Sequence, residues 1–290
     1  MNLLAIVIPL LLSSISLIIN HIAQPPTNLR PKVFVVGLSK TGTTSVGNAL
    51  ALLGYRRMNW KDVRSRQLVH SFMHGEHGSL IELTKYYDAF EDLPWPFMYE
   101  ELAEMYPDAK FILSLRKDEQ TWLRSMQKHQ SRGVWAPAVH FYGSQDTEGD
   151  REVVLNAYRN HTANVRRFFQ NMPERYVELV VDDAGEVSWE RVCRVAQCPP
   201  GGRPAISFPK SNTVASWKDD SFVGSVHAVW RRIMAGMEEA LVEIYYHRDW
   251  SWPKTMMERG WQVVTKIEMA CCNLYWRHAG QNGPALGLGS

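Results

Sequence analysis

The sequence predicts a three-layer α/β fold built on a central parallel sheet. Two features of the order of residues point to it. Short β-branched and aromatic runs at 32–36, 111–115 and 176–181 read as buried parallel strands. Each run is followed by a polar connection and then a stretch with helical spacing, the pattern that closes a parallel sheet. Composition agrees: 290 residues, 45% apolar and 21% charged, suit one large domain or two modest ones. Disorder, collagen and coiled coil are excluded for the chain as a whole. A formal net charge of +2 gives no polybasic field of the kind a nucleic-acid partner needs. Cys193, Cys198, Cys271 and Cys272 match no zinc spacing, are too few for a disulfide scaffold, and read as free or buried thiols.

The chain opens with an uncharged run, Leu3 to Ile19, interrupted only by Pro9, Ser13, Ser14 and Ser16. It is at the short end of what spans a bilayer. No small-x-small cleavage site follows it, so an uncleaved anchor over 1–23 is expected, with a cleaved signal as the rival. Arg30 and Lys32 follow the run and no basic residue precedes it, which by the positive-inside rule places the body in the cytosol. Pro25 and Pro26 then break any helix.

The strand 32–36 runs into Gly37-Leu38-Ser39-Lys40-Thr41-Gly42-Thr43-Thr44-Ser45, and a helix follows from Val46 to Leu53, closed by Gly54. Strand, glycine-hydroxyl loop and helix in that order surround an anion with backbone N–H groups and a helix N-terminus. Lys40 adds a point charge, and the hydroxyls add donors. A phosphate or sulfate ester is the expected ligand. Gly37 and Gly42 have the spacing of the nucleotide-triphosphate loop, but Thr43 and Thr44 stand where that motif has lysine and a hydroxyl residue, which disfavours an ordinary NTPase.

Further on, Phe111 to Leu115 reads as a strand ending at Arg116, followed by a helix with Asp118 near its start. An arginine at a strand end and Ser125, nine positions on, can converge on one phosphate. Between the two blocks, Asp88 to Leu93 reads as a short strand that stops at Pro94, leaving Asp92 at a strand end. Asp92 is the first candidate for a general base and Glu91 the second. His70, His74 and His77 lack further ligands at metal spacing and read as a polar loop. Tyr158 to Phe169 has helical spacing, and Ser188 to Val195 reads as a helix capped by Ser188. Asn160-His161-Thr162 is a glycosylation sequon on a predicted helix.

The 37–45 loop resembles the 5′-phosphosulfate loop of the sulfotransferases, and Arg116 with Ser125 resembles their 3′-phosphate motif. The usual Arg-to-Ser spacing is eight; here Arg124 takes the eighth position and Ser125 the ninth. The segment from Asp92 through Tyr99-Glu100-Glu101-Leu102, the 158–169 helix, the strand after Arg175 and the 188–195 helix, ending at Phe208-Pro209-Lys210-Ser211-Asn212, are similar to the branch of that family common in fungi, invertebrates and microbes. The resemblance implies a P-loop NTPase-like fold over 31–215. It also implies 3′-phosphoadenosine 5′-phosphosulfate as donor, no metal, and a small-molecule or glycan acceptor. It implies that Ser39, Lys40, Thr41, Gly42, Thr43, Thr44, Ser45, Arg116 and Ser125 bind the donor and that Lys40 and Asp92 act in catalysis. Lys210 and Asn212 either close over the nucleotide or connect elements. A nucleotide or small-molecule kinase, and a membrane-tethered binding protein that has lost catalysis, are the alternatives.

Residues 216–290 fall outside the resemblance and read as a helical extension. Helical spacing runs over Val226 to Tyr246 and Met257 to Tyr275, and Trp250, Trp252, Trp261 and Trp276 lie along it; the tail from Gly280 reads as disordered. The expected location is the endomembrane system, single-pass, with the lipid bilayer as partner of the first segment.

Overall fold

The computed structural model describes residues 13–14, 16–21, 23–27, 29–60, 65–131, 133, 135, 137–183, 185–198, 204–209 and scattered positions between 263 and 274. The chain divides into two compact units, one of 29–216 and one that joins 1–28 to 217–290.

The larger unit holds five short parallel strands: β1 (Val33–Val35), β2 (Arg57–Met58), β3 (Ala89–Phe90), β4 (Lys110–Leu115) and β5 (Tyr176–Val180). Their order in the sheet is β2-β3-β1-β4-β5. Between them run α1 (Thr43–Leu52), α2 (Ser65–Met73), α3 (Gly78–Thr84), α4 (Tyr99–Met105), α5 (Glu119–Gln130), α6 (Ala138–Tyr142) and α7 (Arg151–Phe169). α8 (Gly185–Val195) follows β5.

Alternation along the strands makes the three layers. Val33, Val35, Ala89, Ile112, Val177 and Leu179 share one core cluster with Val46, Ala49 and Leu50 of α1 and with Trp189 and Val192 of α8. The intervening residues point the other way. Phe34 stacks on Phe90 at 4.7 Å between ring centres and on Phe111 at 5.6 Å. Phe111 in turn meets Phe169 of α7 at 4.6 Å. β1, β3 and, after Lys110, β4 are buried along their length and run without apolar–polar alternation, whereas β5 at the sheet edge buries Val177 and Leu179 and leaves Tyr176, Glu178 and Val180 half-buried. Arg175, just before β5, donates from Nε to the Ala109 carbonyl and from Nη2 to those of Ala103 and Tyr106. It thereby satisfies backbone acceptors where α4 ends and β4 begins.

Several expectations change here. Of the three histidines expected in a polar loop, His70 lies on α2, whereas His74 and His77 lie in the tight turn between α2 and α3. His77 Nδ1 lies 2.8 Å from Glu101, and His74 Nδ1 lies 2.7 Å from the His70 carbonyl. Tertiary packing of Leu68, Val69, Leu80 and Leu83 overrides the polar composition. Ser188 does not cap its helix: α8 starts at Gly185, and Ser188 is buried inside it. Cys193 and Cys198 are not free thiols but a disulfide. α8 ends at Val195 and the chain turns back, bringing Cα atoms five positions apart to 5.4 Å, within bridging distance.

Of the anchor expected over 1–23, residues 1–12 lie outside the described residues. No helix among the described residues is long and apolar enough to cross a membrane. The expected helix at 226–246 and the tail after 280 also lie outside them. Within 257–275 the described positions are helical, with Met269 and Ala270 buried.

Asp88, at the start of β3, is 2% exposed, and burial pushes its carboxyl up to about 6. A carboxyl whose folded pKa exceeds its unfolded one favours folding when protonated. That contribution is complete below its ordinary 3.8 and is lost as pH rises through about 6. Asp88→Asn, which keeps an acceptor for the Arg30 N–H, should therefore be more stable than wild type at pH 7.5. The gain should be of order 1–3 kcal/mol and vanish near pH 4, as read by urea unfolding at both pH values.

Candidate active site

The carboxyl ends of β1, β3, β4 and β5 lie along one edge of the sheet, where ligands bind in open α/β folds. The 37–45 loop follows β1. A Cβ at Gly37 would overlap the backbone oxygen and Oγ of Ser114 in β4, so only glycine lets the loop cross there. Thr41 is fully buried. Its hydroxyl donates to the Leu38 carbonyl at 2.6 Å and sits 2.7 Å from Ser114 Oγ. Its side chain is therefore an internal strut, and only its backbone can serve a ligand. Gly42 is left-handed, φ 89°, against Val181, and begins α1 with no side-chain cap. The first turn of α1 keeps backbone N–H groups for an anion. Thr43 and Ser45 are buried, Thr44 is exposed, and Ser39 and Lys40 are half-buried.

Lys40 and Asp92 are the two non-glycine residues with positive φ among the described residues, at 71° and 65°. Such backbone costs on the order of 1–3 kcal/mol and persists where neighbours over-determine it. Here they do. Ser39 Oγ donates to Asp92 Oδ1 at 2.5 Å, and the Leu93 N–H donates to the same oxygen at 3.0 Å. Trp122 of α5, fully buried, donates its indole N–H to the Ser39 carbonyl at 3.0 Å. The loop and the first base candidate are thus in direct contact across 53 residues of sequence. Glu91, the second base candidate, is 2% exposed and held by the Arg57 guanidinium. Gly47 of α1 leaves room for that pair, since a Cβ there would overlap it.

Arg116 stands at the end of β4 as expected. Its guanidinium is paired side-on with Asp182, Nε and Nη2 each 2.8 Å from one carboxylate oxygen. The Lys117 N–H donates to the same carboxylate at 2.8 Å. Register explains the pair: Leu115 lies opposite Val180, so the two strands deliver 116 and 182 to one place. Asp182 holds the arginine pKa up, and Arg116 holds the Asp182 carboxyl below its usual range. Asp118 caps α5, accepting from the Thr121 N–H at 2.6 Å. On that helix Ser125 sits one turn beyond buried Trp122 and is half-buried. Arg124 is exposed and donates to Thr121. Lys210 and Asn212 lie outside the described residues. No group of three or more His, Cys, Asp or Glu among the described residues could hold a metal ion.

The sequence reading missed Asp182, Trp122 as a tether of the loop, His161 and Tyr142. His161 of α7 is buried and donates from Nε2 to the Val36 carbonyl at 2.8 Å, next to Gly37, and burial lowers its pKa. Tyr142 of α6 is 2% exposed and faces Ser39 and Asp92. A lone Asp, His or Tyr carries no motif, so only the strand pairing and helix packing identify them.

The all-parallel sheet and the loop after β1 fit a P-loop-like α/β fold, with the 37–45 loop at the sheet's carboxyl edge. Residues 32–138 match the family described as Sulfotransferase domain. The matched stretch contains the loop, Asp92, Arg116 and Ser125. The chain is also similar to Ava biosynthesis cluster protein M of Aspergillus versicolor, at 33% identity over 109 residues. That alignment takes in 33% of this chain and 42% of the relative, less than half of its length.

Asp182→Asn should destabilise the domain by under about 1 kcal/mol at pH 7, the scale of a partly exposed ion pair. Because the Asp182 pKa is depressed, its contribution is present above the ordinary carboxylate range and lost as pH falls through the lower folded value. The difference between variant and wild type in urea unfolding should therefore shrink toward zero at about pH 3 or below.

Proposed function

We propose that the chain moves a sulfuryl group from 3′-phosphoadenosine 5′-phosphosulfate to a hydroxyl or amine of a small-molecule or glycan acceptor. The observation that carries this is the strained pair Lys40 and Asp92, joined through Ser39 at the uncapped start of α1. The sulfotransferase-domain match over the same residues supports it.

In the reaction the acceptor oxygen or nitrogen forms a bond to sulfur, and the bond from sulfur to the bridging phosphate oxygen breaks. The acceptor proton passes to Asp92, and the electron pair of the broken bond leaves with the nucleotide phosphate. Lys40 and the N–H groups of Gly42, Thr43 and Thr44 stabilise that developing charge in this reading. Ser39 and Ser45 add hydroxyls. Arg116 and Ser125 serve the 3′-phosphate, and the half-buried position of Ser125 favours it over exposed Arg124. The Asp182 carboxylate holds the Arg116 fork in place and leaves Nη1 for a ligand.

Calorimetry with 3′-phosphoadenosine 5′-phosphate tests the reading on the full chain. Micromolar binding is expected, weakened at least tenfold by Lys40→Ala and by Arg116→Ala, with no binding of Mg·ATP. Preference for Mg·ATP would favour a kinase, and binding of neither would leave a non-catalytic tethered protein.

For location, the apolar run before residue 20 and the Cys193–Cys198 disulfide together favour an endomembrane lumen, where disulfides persist. This reverses the side suggested by Arg30 and Lys32. Alkylation in intact cells should leave Cys193 and Cys198 unmodified until a reductant is added; alkylation without reductant would place them in the cytosol.

A further inference from the structure

The corner where Ser39 meets Asp92 has a third polar member. The ring of Tyr142 lies 6.3 Å from that of Trp122, the residue whose indole holds the Ser39 carbonyl. Its hydroxyl oxygen is buried, and among the described residues no group meets it with hydrogen-bond geometry. A buried hydroxyl left in that state costs about 1–3 kcal/mol. Phenylalanine would fill the same space without that cost. Ser39 and the Asp92 carboxylate are the polar groups that act on it: Ser39 lies close enough to lower its pKa, and the Asp92 charge, with burial, raises it.

We propose that the Tyr142 hydroxyl donates a hydrogen bond to the sulfuryl group of the bound donor, making Tyr142 a further catalytic residue. The inference rests on the donor reading given above. The Ser39 hydroxyl is spent on Asp92 in the free chain. A donor in the loop draws Ser39 away by a single rotation about its Cα–Cβ bond. That rotation frees Asp92 for the acceptor proton and uncovers the hydroxyl beneath. Tyr142 then supplies a neutral donor where negative charge on the sulfuryl oxygens is fixed by the enclosing site. Burial keeps the phenol protonated, so it remains a donor over the working pH range. The short helix carrying Tyr142 ends at left-handed Gly143, where a Cβ would stand 2.8 Å from Val153 of α7. That close approach fixes the tyrosine's position against the bundle behind it.

Tyr142→Phe keeps the ring and its packing, so the test separates the hydroxyl from the fold. Calorimetry on full-length wild type and variant compares the donor, 3′-phosphoadenosine 5′-phosphosulfate, with its desulfated form. The variant should bind the desulfated nucleotide as wild type does and bind the donor about tenfold more weakly, which is about 1.4 kcal/mol. If the variant binds both nucleotides like wild type, the hydroxyl does not touch the sulfuryl group and the proposal is overturned. Equal weakening of both nucleotides also overturns it, since the effect would then belong to the loop as a whole. If wild type itself binds neither nucleotide, the donor reading falls first and this inference falls with it. Tyr142→Leu, which removes the ring packing as well as the hydroxyl, should weaken both nucleotides, so the donor-selective loss is read from the Phe variant.

Discussion

The site depends on one close crossing, that of Gly37 over Ser114. The loop leaving β1 must pass the neighbouring strand β4 where no Cβ fits. Thr41 then ties the loop down by its hydroxyl to Leu38 and Ser114. With both ends of that segment fixed, the residues between 37 and 42 have little conformational choice. Lys40 is forced left-handed, and Gly42 turns the chain into α1 against Val181. The fold thereby holds a lysine and an open helix start in one place before any ligand arrives, which reduces the ordering cost of binding. The same crossing explains why the hydroxyls of the loop divide into roles: those that hold the loop are buried, and those near its mouth are not.

Strain at Asp92 is held in a complementary way. β3 is two residues long, and the chain leaves it through a left-handed residue into Pro94 and the short turn Trp95–Phe97. The carboxylate accepts from its own neighbour's N–H and from Ser39. Trp122 closes the circuit from the α5 side. Two backbone outliers at one site, each supported by residues from other elements, are what a pre-organised reacting centre requires. An incidental strain would have no reason to pair across distant parts of the chain.

Much of this was legible in the sequence where geometry is local. The strands at 32–36 and 111–115 stood out because strands buried on both faces are largely apolar, and 176–181 stood out by its aromatic and β-branched residues. The 37–45 loop stood out because glycines and hydroxyls between a strand and a helix have few other uses. What escaped was set by tertiary contact. β2 is two residues long and gains its identity only by pairing with β3. α2 has a short apolar stripe diluted by Gln67 and His70, and α3 is only seven residues long. Glu91 and Asp92 are adjacent and chemically alike, yet one turns to Arg57 in the interior and the other to the loop. The disulfide depended on how the chain turns back after α8, which no local spacing marks. Asp182 needed the β4–β5 register, since nothing near it in sequence marks it.

In the proposed function the Arg116–Asp182 pair serves both the folded and the ligand-bound state. Each side chain is about a fifth to a quarter exposed, so the pair contributes little to stability. A strong buried pair would hold the guanidinium too tightly to be shared, and removing either partner would leave a buried charge. A weak, two-pronged pair fixes the plane of the fork while leaving one edge of it open. Phosphate oxygens approaching that edge add to the arginine's hydrogen bonds without displacing the carboxylate. The cost is repulsion between the Asp182 carboxylate and the incoming phosphate, which is reduced at this partly exposed edge by solvent screening. Lys117 and the α5 N-terminus, which add positive potential at the same corner, oppose that repulsion further. On that proposal, the carboxylate that restrains Arg116 helps to orient the phosphate site so long as the corner stays open to water; deeper burial of the same pair would turn it from an orienting contact into a competitor.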